Sequence, residues 1–265
     1  MNYKWSINLI FIILSYAITW SILFPLCLYY KKINLIQLEI WHSLGAIGPA
    51  IGGVIAFYIL NKRSSLKMLR KGISKYSGRK LLLFAISPIL ILLISLILES
   101  LFGIFNLVIF LEQNSIENFL SLFIFILPSL SYGFFEEIGW RGFFLPYLQI
   151  QYNALRSTII ITLIWWFWHF PTFFYRFDLV FALSFMLPLM LSGSIIFTFL
   201  YNESRGSLLM TIILHISYDL VTSHQISLIA TILVSTIFIF MNVRILKVYG
   251  VDSFSTQEKF TLNLL

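Results

Sequence analysis

Six residues in three stretches of the chain have types and spacings suited to proton chemistry. Glu136, Glu137 and Arg141 lie in Phe134-Phe135-Glu136-Glu137-Ile138-Gly139-Trp140-Arg141-Gly142, at the end of a long apolar run. His169 follows the aromatic stretch Trp165-Trp166-Phe167-Trp168, and His215 and Asp219 belong to Leu214-His215-Ile216-Ser217-Tyr218-Asp219. Helical residues four apart share a face, so the spacing pairs Glu137 with Arg141 and turns Glu136 about 100° away. A guanidinium suits a planar paired contact, which leaves Glu136 without a local partner as the candidate general base. A carboxylate base, a histidine reaching the same water and donors for a developing oxyanion are the parts needed to hydrolyse an amide. His169, His215, Glu136, Glu137 and Asp219 are also the inventory of a catalytic zinc with Glu136 left as base, and spacing alone leaves that choice open. The chain has no His-Glu-x-x-His pair to pre-form a metal-binding face, which tilts the reading toward metal-free chemistry.

Each of these stretches also has a plainer reading, as a charged helix end or a structural histidine. Their setting argues against it. The chain is 59% hydrophobic and 11% charged, with a mean hydropathy of +0.91, far from the roughly one-quarter charged composition of soluble domains. Ionisable groups inside apolar spans are costly and mark functional sites by default. The net charge of +7 falls in short links between apolar runs, as topology determinants do, and nucleic-acid binding is excluded on that ground.

The elements that must position these groups are apolar runs. Trp5–Tyr30 is too long for a signal-peptide core and is read as a retained first span, followed by His42–Leu60, whose Gly45, Gly48, Gly52 and Gly53 permit close helix approach. Leu81–Leu111 exceeds the roughly 20 residues a bilayer needs, and is expected to tilt, kink near Pro88 or leave the membrane. Runs at Phe119–Phe135, Ser157–Tyr175, Leu179–Leu200, Leu208–Val221 and Ile226–Ile245 complete about eight spans in one membrane domain over residues 1–265. Alternating the links from a cytoplasmic start puts fifteen of the Lys and Arg residues inside, eight of them in Asn61–Lys80, and only Lys31, Lys32 and Arg176 outside. Both termini are therefore expected in the cytoplasm, and in a prokaryote the membrane is the plasma membrane.

Several residues receive structural readings. Cys27 is taken as inert packing, His42 as an interfacial residue, and Glu99 as an interfacial or snorkelling carboxylate. Arg176 and Asp178 are placed at the interface, and His224 in solvent on an external link. Tyr201–Ser207 reads as a turn with a helix N-cap at Ser207. The Trp165, Trp166 and Trp168 cluster reads as packing that can also face a substrate, and Val248–Leu265 as a polar, partly disordered tail.

Glu136-Glu137-x-x-x-Arg141, His169 in an aromatic-His-x-Pro setting, and Tyr201-Asn202-x-x-x-Gly206-Ser207 followed by His215-x-x-x-Asp219 together resemble the ordered motifs of the CPBP intramembrane proteases. That family includes CAAX prenyl endopeptidases of type II and the bacteriocin-processing or immunity proteins of the Abi group. The resemblance spans about residues 120–221. It implies an all-α, polytopic membrane fold enclosing a catalytic cavity, with Glu136 as the base that activates water and His169 as its partner. By the same resemblance Glu137 and Arg141 give structural support, and His215 and Asp219 occupy the oxyanion or metal position. Two departures stand out: Trp165 where the pattern often has Phe, and Asp219 where eukaryotic members have Asn. An ionised Asp cannot donate to an oxyanion, so Asp219 must be protonated, orient His215 or bind metal.

The expected protein is thus an intramembrane endopeptidase acting in or near the cytoplasmic half of the bilayer on a membrane-associated or lipidated protein or peptide. CAAX-type processing and peptide or bacteriocin maturation both fit, with the substrate and the lipid bilayer as partners and zinc as the one cofactor under consideration. The alternative is a non-catalytic peptide-binding or bacteriocin-immunity protein on the same fold. A proton-coupled transporter is disfavoured by the absence of internal repeats.

Overall fold

The computed structural model describes residues 3–222 and 226–262, and among them the chain is all-α. Helices α1 (Tyr3–Tyr29), α2 (Leu35–Leu44), α3 (Ile47–Ile73) and α4 (Arg79–Leu101) are followed by the short α5 (Leu107–Gln113) and by α6 (Phe119–Gly139). A π-helical turn at Trp140–Phe144 carries α6 into α7 (Leu145–Leu148). Next come α8 (Ala154–Trp168), the single turn α9 (Leu179–Phe181), α10 (Leu187–Glu203), α11 (Leu208–Thr222) and α12 (Leu228–Val248). The starts are set by local chemistry: Asn34, Asn118, Asn153 and Ser227 each accept a backbone N–H of the following first turn.

Six helical stretches among the described residues are long and apolar enough to cross a membrane: Ser6–Lys32, Leu35–Leu60, Arg79–Leu101, Phe119–Leu148, Leu179–Glu203 and Leu228–Val248. Against the eight expected spans, Ala154–Trp168 and Leu208–Thr222 are shorter, 15 residues each. At 1.5 Å per residue they cover about 22 Å, less than the hydrocarbon core of about 30 Å. His169 is the C-cap of the first, and His215 lies within the second. The outer surface remains apolar, with Leu93, Ile97, Ile232 and Phe240 exposed, as suits helices facing lipid. His224 lies outside the described residues.

Close backbone approach brings the site helices together. A Cβ at Gly53 would stand 3.1 Å from Gly139 Cα, so α3 and α6 meet where neither carries a side chain. A Cβ at Gly133 would stand 2.9 Å from the Ile216 nitrogen, and this contact sets α11 level with Glu136 and Glu137.

Three expectations change. The run Leu81–Leu111 is two helices, because the chain reverses at Gly103 (φ 70°) and Asn106 caps α5. Glu99 is buried and accepts the Ser227 hydroxyl at 2.7 Å, so it anchors the start of α12 instead of snorkelling. The tail as far as Leu262 is packed on the bundle: Phe254 is fully buried, Leu262 N–H donates to Pro146 O, and Lys259 reaches Tyr152 O.

The bundle has two distinct ends. At one, Lys75 donates to Arg205 O, Ser207 donates to Lys75 O, and Thr256 of the tail donates to Glu203. That end gathers the link after α3, the α10–α11 turn and the C-terminal segment. At the other, Arg176 meets Glu39, Cys27 donates to Pro171 O, and Ser227 meets Glu99.

Candidate active site

Glu136 and Glu137 sit on the last turn of α6, both fully buried. Helix spacing brings Arg141 back onto Glu137 with Nη1 2.8 Å from Oε1, across the start of the π-helical turn. The same Glu137 oxygen accepts from His215 Nδ1 at 2.8 Å, so one carboxylate joins α6 to α11. Arg141 is held further by ring faces, its guanidinium carbon 4.3 Å from the centre of Phe197 and 4.9 Å from that of Trp165. A buried charge is tolerated when paired and hydrogen-bonded, and Glu137 is both.

Glu136 is treated differently by its neighbours. Its Oε2 accepts the Trp140 indole N–H at 2.9 Å, while Oε1 is buried with no hydrogen-bond partner among the described residues. His169 stands across from that oxygen, its Nε2 3.8 Å away. The other ring nitrogen, Nδ1, lies 2.9 Å from the Trp165 carbonyl, which can only accept. Nδ1 therefore carries the proton, and in the neutral ring Nε2 presents a lone pair toward Glu136. A gap of 3.8 Å is too long for a direct hydrogen bond and suits one water touching both groups.

His215 completes the cluster. With Nδ1 on Glu137, its Nε2 lies 3.7 Å from Asp219 Oδ2, one helical turn further along α11. Glu136, His169, His215 and Asp219 all face one cavity of about 160 Å³, while Glu137 and Arg141 stand behind its wall. Trp165 lines the cavity between the two histidines, its ring centre 5.7 Å from His169 and 5.8 Å from His215.

Zinc was a candidate from the residue inventory, and the geometry does not fit it. Among the described residues no three His, Cys, Asp or Glu side chains converge closely enough to hold one ion. Glu137 is committed to Arg141 and His215, and His169 has turned Nδ1 to a backbone carbonyl.

Four site residues differ from their sequence readings. Glu136 does have a local partner: Trp140 lies four residues on, and that spacing was a legible signal. His42 is buried, 2.7 Å from the Tyr175 hydroxyl and 3.2 Å from that of Tyr132, and it lines the cavity instead of an interface. Arg176 also lines the cavity and is ion-paired to Glu39 at 2.5 Å. No spacing within one helix could have found these two, since α2 meets the link after α8 only in the folded bundle. Asn202, inside the resembling motif, lies elsewhere, bonded to Gln149 and Ser253 O. Asp178 is exposed and caps α9 through the Phe181 N–H.

The family match falls on this same cluster. Residues 118–221 match the family described as type II CAAX prenyl endopeptidase, Rce1-like. A CAAX prenyl protease 2 of Methanococcus maripaludis is 33% identical over 95 residues, covering 32% of this chain and 35% of that relative. The match thus spans about a third of the relative's length. The stretch from α6 to α11, which holds every member of the polar cluster, is thus similar to the Rce1-like type II CAAX prenyl endopeptidases.

Proposed function

We propose that the chain is an intramembrane endopeptidase that hydrolyses a peptide bond of a membrane-associated or lipidated protein or peptide. One observation carries this reading: a fully buried carboxylate oxygen, Glu136 Oε1, has no hydrogen-bond partner among the described residues and lies 3.8 Å from the lone pair of His169 Nε2, within reach of one water touching both. Buried polar atoms are nearly always satisfied, so an orphan of this kind marks a place where another molecule belongs.

In the proposed reaction Glu136 accepts a proton from water while His169 Nε2 holds the second hydrogen, and the oxygen attacks the scissile carbonyl carbon. His215, when it carries a proton on Nε2, donates to the developing oxyanion. Asp219 orients that ring, which removes the need for Asp219 itself to donate. The tetrahedral species then breaks its C–N bond, and Glu136 returns its proton to the leaving amine. Glu137 and Arg141 hold His215 and the end of α6 in place without touching substrate. The apolar Met186, Leu189 and Met190 supply a wall for hydrophobic side chains.

The test is turnover of quenched peptides, with and without a prenylated C-terminal cysteine, by purified protein in nanodiscs. Wild type should cleave at least one class, and Glu136→Gln should not. Equal cleavage by the two proteins removes the assignment to this site. A strong chelator should leave the rate unchanged, as the donor geometry requires.

A further inference from the structure

Around the cavity, the lining residues extend from the level of Glu136 and His215 toward one end of the bundle only. On α6 they run back from Glu136 to Pro128, and on α11 forward from His215 to Thr222. Along α8 and its following link they run forward from Trp165 to Phe177, and along α10 and the turns before it they run back from Phe197 to Phe181. Since α6 and α10 are antiparallel to α8 and α11, all four directions are the same direction. The other side of Glu136 is closed by Trp140, Arg141, Phe143 and Phe144, none more than 1% exposed.

The open end carries Arg176, the only Lys or Arg among the described lining residues, together with the link that holds Lys31 and Lys32. The closed end carries the link after α3, the α10–α11 turn and the tail, joined through Lys75, Arg205 and Ser207. Eight Lys and Arg residues fall in Asn61–Lys80 on that side. Links rich in Lys and Arg stay in the cytoplasm.

We infer that substrate enters the Glu136 cavity from the extracytoplasmic end of the bundle, so that the chain cleaved is an exported or outer-leaflet peptide segment and not a lipidated C-terminus presented in the cytoplasm. The route follows from the shape of the cavity and the charge of the two ends. Only the substrate class rests on the protease reading. The entering segment meets Arg176 first, a cation kept in place by Glu39 and suited to a carboxylate on the incoming chain. It then passes Phe177 and Phe181, which accept apolar side chains on the way to Glu136 and His169. The site would therefore be reached from the outer side of the membrane, through the end of the cavity that Arg176 lines.

Two measurements test this separately. In a Cys27→Ser background, single Thr222→Cys, Asp178→Cys and Glu258→Cys variants are treated in intact cells with a membrane-impermeant maleimide. Thr222→Cys at the mouth and Asp178→Cys on the exposed link should label, and Glu258→Cys on the tail should label only after permeabilisation. Labelling of Glu258→Cys alone in intact cells overturns the inference, as does a Thr222→Cys that stays unlabelled while Asp178→Cys reacts. In the second measurement an impermeant quenched peptide is added outside sealed right-side-out or inverted vesicles. Turnover should be lost on inversion and absent in Glu136→Gln, and turnover confined to inverted vesicles overturns the route. Outside labelling of the mouth with no cleavage on either face leaves the route standing and removes the protease reading.

Discussion

Two clusters of buried polar groups lie on opposite sides of the π-helical turn that follows α6, and they differ in how completely they are satisfied. In the cluster near the tail, Gln149 and Asn202 exchange hydrogen bonds at 3.1 and 2.8 Å. Their remaining capacity goes to Phe260 O, Ser253 O and the Phe260 N–H. In the cavity cluster, Glu136 Oε1, Arg141 Nη2 and Trp165 Nε1 are buried and have no hydrogen-bond partner among the described residues. A buried network stabilises a fold only when its members are satisfied, and a partly satisfied one costs free energy. The first cluster thus ties the tail to the bundle. In the proposed function the second holds groups for a molecule that is not part of the chain, the kind of conflict with stability that a working site carries.

This contrast is broken most directly at Glu136. Glu136→Gln should lower turnover by about 10²- to 10⁴-fold, the range of a positioned base, while the yield of folded protein is unchanged or higher. His169→Ala should fall in the same range, and the double variant should be little slower than either single one, because groups acting as a unit are non-additive. Peptide turnover beside size-exclusion yield reads both. Independent, multiplying losses would mean that the two side chains do not share one water.

The next largest effect belongs to the ion-paired half of the cavity cluster. Arg141→Ala strands Glu137 and His215 and strips the cation from the Trp165 and Phe197 faces, so thermal or denaturant unfolding should show a loss of about 3–5 kcal/mol. Arg141→Lys should recover only part of it, since an ammonium replaces the planar guanidinium. A stable Arg141→Ala protein would show that Glu137 needs no partner there.

In the tail cluster the expected loss is of stability alone. Asn202→Ala leaves Gln149 without its side-chain partner and frees the Phe260 N–H, a cost of about 1–3 kcal/mol. Turnover per folded molecule should be unchanged, and a large fall in it would join the two clusters functionally. The smallest effect is expected at Thr256→Val, which removes an exposed contact to Glu203 and should shift stability by less than about 0.5 kcal/mol.

Sequence by itself determined what depends on local geometry and composition. Mean hydropathy and run lengths dictated an all-α membrane bundle, because lipid leaves backbone groups no other partners. Helical spacing was enough to put Arg141 against Glu137 and Asp219 beside His215, and the same rule, extended to Trp140, holds the partner of Glu136 that the sequence reading missed. Tertiary structure alone decided the rest. That Glu137 is shared with His215 depends on the α6–α11 approach at Gly133, and the proton position on His169 depends on where its ring meets the Trp165 carbonyl. Burial of His42, Glu99 and the tail could not be read from their own neighbours in sequence, because burial is conferred by elements far along the chain: Tyr175 for His42, Ser227 for Glu99, and Gln149 with Asn202 for the tail. The end at which the cavity opens is likewise a property of four antiparallel helices together, since no single helix has an inside until the others are packed around it.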